Sequence, residues 1–225
     1  RHGRGLRMTA QESKQALTLL GDDSEDTARW MIERTSGSFE SRRLQLLDTV
    51  PDVVAYYSEG SASLAVDAYM DARVGVPGAF TATAVVLDRT VKIRRGVAWA
   101  SEPLNMGDAA AAEARMAQLM RSEMTRPYRD TTLRNGARDG QFVGYKRIAR
   151  AASCGFCKAL AARGAVYRKD TVYFAAHDSC QCTTAAAFVG QPHGPEADVM
   201  QYMASKRRRT PAEKALINDW ASQYA

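Results

Sequence analysis

Cysteine and histidine are scarce in this 225-residue chain, with four of the one and three of the other, and no cysteine lies before residue 154 or after 182. That distribution leaves most of the fold without any thiol to cross-link it. No apolar run approaches the length of a membrane span, so no transmembrane segment is expected. The stretch Arg1 to Met8 lacks the hydrophobic region of a signal peptide, so synthesis and folding are expected in the cytosol, and a start at Arg1 suggests a trimmed N-terminus. In that reducing compartment a compact Cys/His cluster points to a metal site more than to a disulfide framework. There is no internal repeat. Charge of either sign is only modestly in excess: 31 Lys and Arg against 25 Asp and Glu give +6. The basic residues gather at Arg1, Arg4 and Arg7, at Lys92, Arg94 and Arg95, and at Lys206, Arg207, Arg208 and Arg209. Clustered cations of this kind suit phosphate-backbone contact without base readout, or simply a solvated face.

An apolar content of 45% can bury an ordinary core. The expected class is mainly α with a small β element (α+β). Three regions are expected: a helical part over 1–107, a Cys/His-cluster domain over 108–190, and a linker with basic helices over 191–225. Thr9 and Glu12 have capping-box spacing, and Gly21-Asp22-Asp23 predicts a stop before Ser24 caps a second helix ending near Gly37. Pro51 predicts a kink or restart, and Gly75 with Pro77 closes a helix over 61–73. Thr81, Val85, Val91, Ile93, Val97 and Trp99 are β-prone, which predicts a hairpin near 80–100. Asp108 is placed to cap an alanine-rich helix reaching about Thr125, with a core stripe of Ala112, Met116, Leu119, Met120 and Met124. Asn135-Gly136 and Asp139-Gly140 read as turns, Phe142 to Ile148 as a strand, and Cys154 to Ala162 as a short helix that Gly164 ends. Strands at Val166-Tyr167 and over 172–174 should follow, then helices after the 190–195 linker. The last of these opens at Thr210-Pro211-Ala-Glu213.

The chemistry concentrates in Cys154-x2-Cys157, nineteen intervening residues, and His177-x2-Cys180-x-Cys182. A C-x2-C pair puts two thiolates on one tight turn, and a second pair from a distant turn closes a tetrahedron. Cys154, Cys157, Cys180 and Cys182 would give a four-thiolate site, and exchanging one of the latter pair for His177 would give Cys3His. Either set fills four positions, so a bound zinc would be structural. Packed thiols or disulfides are the other readings of the same residues. A hydrolase can also be drawn, with Cys154, Cys157 or Ser153 as nucleophile and His177 as base. No second histidine or orienting carboxylate is evident for it, because His2 and His193 lie in an expected arm and linker. A third reading is a zinc-stabilised nucleic-acid-binding module, with Lys206 to Arg209 as its contact.

The run Gly144-Tyr-Lys-Arg147, the segment Ala152 to Tyr167 and the terminus His177-Asp-Ser-Cys180-Gln-Cys182 resemble the minor head proteins of tailed bacteriophages. The resemblance is to the Mu F-like head morphogenesis family, nearest to its variants in actinobacterial phages and prophages, and it covers about half the chain. It implies that Cys154, Cys157, His177, Cys180 and Cys182 form the family's cluster. It further implies a few-copy virion protein that meets the portal protein and the major capsid or scaffolding protein. Such a protein occupies the host cytoplasm during assembly and then the head interior, near packaged DNA. Many such sequences are labelled capsid maturation proteases, but no catalytic constellation is apparent here, and an enzyme is not the preferred reading. The chain departs from the common pattern after Cys182, where Thr183 to Phe188 stands in place of a proline-containing strand.

Overall fold

A computed structural model of the chain describes residues 7–149, 155–162, 164, 165, 167, 182–191, 211 and 215. Among these the elements are α1 (Ala10–Arg34), α2 (Phe39–Ala72), α3 (Thr90–Ala100), a 3-10 turn (Glu102–Met106), α4 (Ala109–Gly136), β1 (Phe142–Ile148), α5 (Gly155–Ala162) and β2 (Thr183–Phe188). The described residues are thus mostly helical with one two-stranded antiparallel sheet, which agrees with the α+β expectation. The chain falls into two units, one drawn from 1–14, 66–83 and 132–225 and the other from 15–65 and 84–131.

Helix starts follow local chemistry. Thr9 N donates to Glu12 Oε2 at 2.6 Å and Glu12 N to Thr9 Oγ1 at 3.1 Å, a reciprocal capping box. Asp108 Oδ1 accepts from Ala111 N at 2.9 Å at the head of α4. Helix ends follow it less well. The expected stop at Gly21 is absent, and α1 runs through it. Ser24 Oγ donates back to Gly21 O at 2.7 Å instead of capping a new helix. A Cβ on Gly21 would lie 2.6 Å from Arg121 Nη1, and that guanidinium is held by Asp22 and Glu25. Gly21 therefore serves a close approach.

Pro51 likewise sits inside the 34-residue α2. Its missing N–H leaves the Leu47 carbonyl without a helical donor. Arg94 Nη1 donates to Leu47 O at 2.9 Å and takes that place. The segments expected as separate helices over 44–73 are consequently one.

The expected hairpin near 80–100 is not formed. Residues 79–89 carry no regular structure, and 90–100 is α3. The β-prone residues follow a helical rather than an alternating phase: the buried set is Ile93, Val97 and Ala100, a helical stripe, while Val91 and Trp99 are exposed. The irregular segment satisfies its backbone on side chains. In one unit Thr83 N donates to Asn135 Oδ1 at 2.9 Å and Asn135 Nδ2 to Thr83 O at 2.8 Å. In the other, Val85 N donates to Thr131 Oγ1 at 2.9 Å. Asn135 is thus a buried helical anchor, and α4 continues past the expected end near Thr125 and through Pro127.

The core of the second unit contains the expected methionine stripe. Ala112, Met116, Met120, Met124 and Tyr128 are all buried at four-residue spacing, whereas Leu119 is only half-buried. In the first unit, Tyr69, Ala82, Ala186 and Phe188 form one buried cluster, with the Tyr69 and Phe188 rings edge-on at 5.3 Å. Gln191 ties this unit further, donating from Nε2 to Ala72 O at 3.0 Å at the end of α2. The C-terminal helices expected after the linker lie outside the described residues, apart from helical positions at Pro211 and Ala215.

Candidate functional site

The sheet positions the described part of the Cys/His cluster. β1 lies where the sequence placed it, and it pairs with β2 in the register Tyr145 opposite Ala186 and Ile148 opposite Thr183. β2 is the stretch that departs from the family's proline-containing strand, and the alanines of its Thr-Thr-Ala-Ala-Ala run have weak strand propensity. It nonetheless buries five of its six residues, and a bulge between Phe142 and Gly144 adjusts the pairing.

On its other side, Tyr145 bridges Tyr167: Tyr145 N donates to Tyr167 O at 2.7 Å, and Tyr167 N to Tyr145 O at 3.1 Å. Gly144 permits this approach, because a Cβ there would stand 3.2 Å from Tyr167 O and 3.3 Å from Ala165 O. The Tyr145 hydroxyl donates to Leu133 O at 2.8 Å, and the Tyr167 hydroxyl to Leu160 O, in α5, at 2.6 Å. Burial pushes the Tyr145 phenol well above its ordinary value, so it acts as a neutral donor.

Cys157, near the start of α5, and Cys182, immediately before β2, join Tyr145 and Tyr167 in one buried cluster, with Leu133, Phe142 and Ala149 packed against it. One cysteine from each half of the motif therefore reaches the same small core. Gly164, with φ 74°, follows α5 in the left-handed conformation that the sequence led us to expect. Two thiols converging from a helix start and a strand start are donors of the kind zinc takes. Cys154, His177, Cys180 and Ser153 lie outside the described residues, as do Lys206, Arg207, Arg208 and Arg209. The two tyrosines that wall the cluster belong to no metal or catalytic motif in the sequence. Their signal was the Gly144-Tyr145 pair, a glycine at a strand position next to an aromatic residue.

A second buried constellation holds the turn before β1. Arg73 Nε donates to Asp139 Oδ2 at 2.7 Å, the Tyr69 hydroxyl donates to the same oxygen at 3.2 Å, and Gln141 N donates to Asp139 Oδ1 at 3.0 Å. Arg73 also donates to the carbonyls of Gly78 and Pro77 at 2.8 and 3.3 Å. Burial alone would raise the Asp139 carboxyl, but the hydrogen bonds and charge of Arg73, with Gln141 N, hold it below its ordinary value. This arrangement fixes the turn that launches β1 and offers no open donor set for chemistry.

No described helix is long and apolar enough to cross a membrane. No curated protein and no solved structure matches the chain. A family model described as VG15 protein matches residues 8–206, so it takes in both units and the whole Cys/His motif. The chain belongs to the VG15 protein family, a viral protein family.

Proposed function

We propose that the protein is a minor head protein of a tailed phage, of the Mu F-like head morphogenesis type, with a structural zinc site in its Cys/His cluster. Membership of a viral family supports the setting. The observation that carries the reading is the convergence of Cys157 and Cys182, one from each half of the motif, in a single buried cluster. A zinc bound there would be held by Cys157 and Cys182 with two ligands from Cys154, Cys180 and His177. It would pin the 158–176 segment and supply folding energy rather than a reactive water. In this reading the portal protein and the major capsid or scaffolding protein are its partners, and Lys206 to Arg209 provide non-specific contact with packaged DNA.

The test is co-expression with the portal, scaffolding and major capsid proteins of the same virus, followed by gradient sedimentation of the heads. The reading expects the protein to sediment with heads, to depend on the portal protein for doing so, and to resist added protease until the heads are opened. Sedimentation apart from heads, or full protease sensitivity on intact heads, would contradict it.

A further inference from the structure

The basic run on α3 is divided by the structure into two roles. Arg94 is spent on the Leu47 carbonyl. Lys92 and Arg95 are exposed, and among the described residues neither has an ion-pair partner. With Val91, Gly96, Trp99, Leu119 and Glu123 they line a shallow groove of about 480 Å³. Spacings of three and four residues put Lys92, Arg95 and Trp99 on one helical face. A Cβ on Gly96 would fall 2.5 Å from Leu119 Cδ1, so it is the glycine that lets Leu119 lie against the α3 backbone. Val91 is 67% exposed and Trp99 48%, an apolar surface left in water.

Charge decides what fits this groove. The carboxylate in the groove lining, Glu123, is occupied by Arg89, whose Nε and Nη2 donate to it at 2.6 and 2.9 Å, so it does not neutralise Lys92 and Arg95. Arg115 adds a further cation beside the groove, with its guanidinium 4.9 Å from the Trp99 ring centre and Nη1 donating to Trp99 O at 3.3 Å. Those contacts fix the indole in place. They also occupy a ring face that a nucleic-acid base would need for stacking. An apolar pit rimmed by cations is complementary to a carboxylate-bearing peptide with an apolar anchor.

We propose that the α3 groove is a docking site for an acidic segment of a partner protein, one apolar side chain of which seats on Leu119 beside Trp99. The site is independent of the Cys/His cluster and of any bound metal.

The test pans a displayed library of random peptides, roughly twelve residues each, on the full chain and reads the affinity of enriched peptides by fluorescence anisotropy. Enriched sequences should carry carboxylates around one Leu, Phe or Met. Their affinity should fall about tenfold or more in the Lys92→Glu/Arg95→Glu variant, and again in Trp99→Ala, with circular dichroism unchanged. Sequences without acidic enrichment, affinities indifferent to both variants, or no enrichment at all would overturn the proposal. So would a labelled single strand of about twenty nucleotides that binds more tightly than the peptides and is released by the same substitutions.

Discussion

Arg94 donates to the Leu47 carbonyl at 2.9 Å, the one carbonyl that Pro51 leaves without its helical donor. A defect in α2 is therefore made good by a side chain from α3, which is how a proline survives inside an uninterrupted helix.

Arg94→Ala should lower stability by about 0.5–1 kcal/mol, because the carbonyl is partly open to water. Pro51→Ala restores the N–H, so the Arg94→Ala penalty should shrink toward zero in that background. Denaturant melts of the four proteins measure the coupling, and equal penalties in both backgrounds would refute it.

Gly21 and Arg121 should be coupled in the same way. Alanine at a helix interior is ordinarily favoured over glycine by about 1 kcal/mol. Here the new methyl would press on a guanidinium held by Asp22 and Glu25. Gly21→Ala should thus be neutral or destabilising in the wild type and stabilising in an Arg121→Ala background. Thermal melts of the cycle decide it.

The Asp139 carboxyl is held below its ordinary value in the folded chain. Its contribution to stability is therefore complete above the unfolded value, about pH 3.9, and is lost as pH falls through the lower folded value. Asp139→Asn should lower Tm by roughly 5 °C at pH 7, by leaving the Arg73 charge unmatched in a buried site. It should also flatten the fall in Tm below pH 4, and a slope identical to the wild type would show that Asp139 is not the group responsible.

Gly144→Ala should cost about 1–3 kcal/mol, since the atoms it meets are backbone carbonyls that cannot rotate away. Gly140→Ala meets nothing within 4 Å and is the matched control. Equal stability of the two variants in urea would mean that the Tyr145–Tyr167 bridge tolerates more separation than this geometry allows.

What could be read from the sequence was local. The Thr9–Glu12 box, the Asp108 cap, β1 and the glycine after α5 each depend on a few adjacent residues, and each appears as expected. What could not be read depends on distant partners. Gly21 and Pro51 look like breaks until Arg121 and Arg94 arrive from elsewhere in the chain. The 80–100 segment alternates like strands, yet half of it is a helix burying Ile93, Val97 and Ala100. β2 is a strand by virtue of pairing and burial, which its alanines could not announce. Of the cluster, the sequence marks the cysteines and the histidine as candidate ligands but not the tyrosines that pack with Cys157 and Cys182.

The most direct test of the proposed site is metal content by elemental analysis, on the chain purified under reducing conditions, with Cys157→Ser, Cys182→Ser and His177→Ala beside it. The account predicts about one zinc per chain that is lost in both cysteine variants. Retention in His177→Ala would identify a four-thiolate set, and loss would identify Cys3His. A metal-free wild type, or zinc that persists in Cys157→Ser and Cys182→Ser alike, would contradict a shared site built from both halves of the motif.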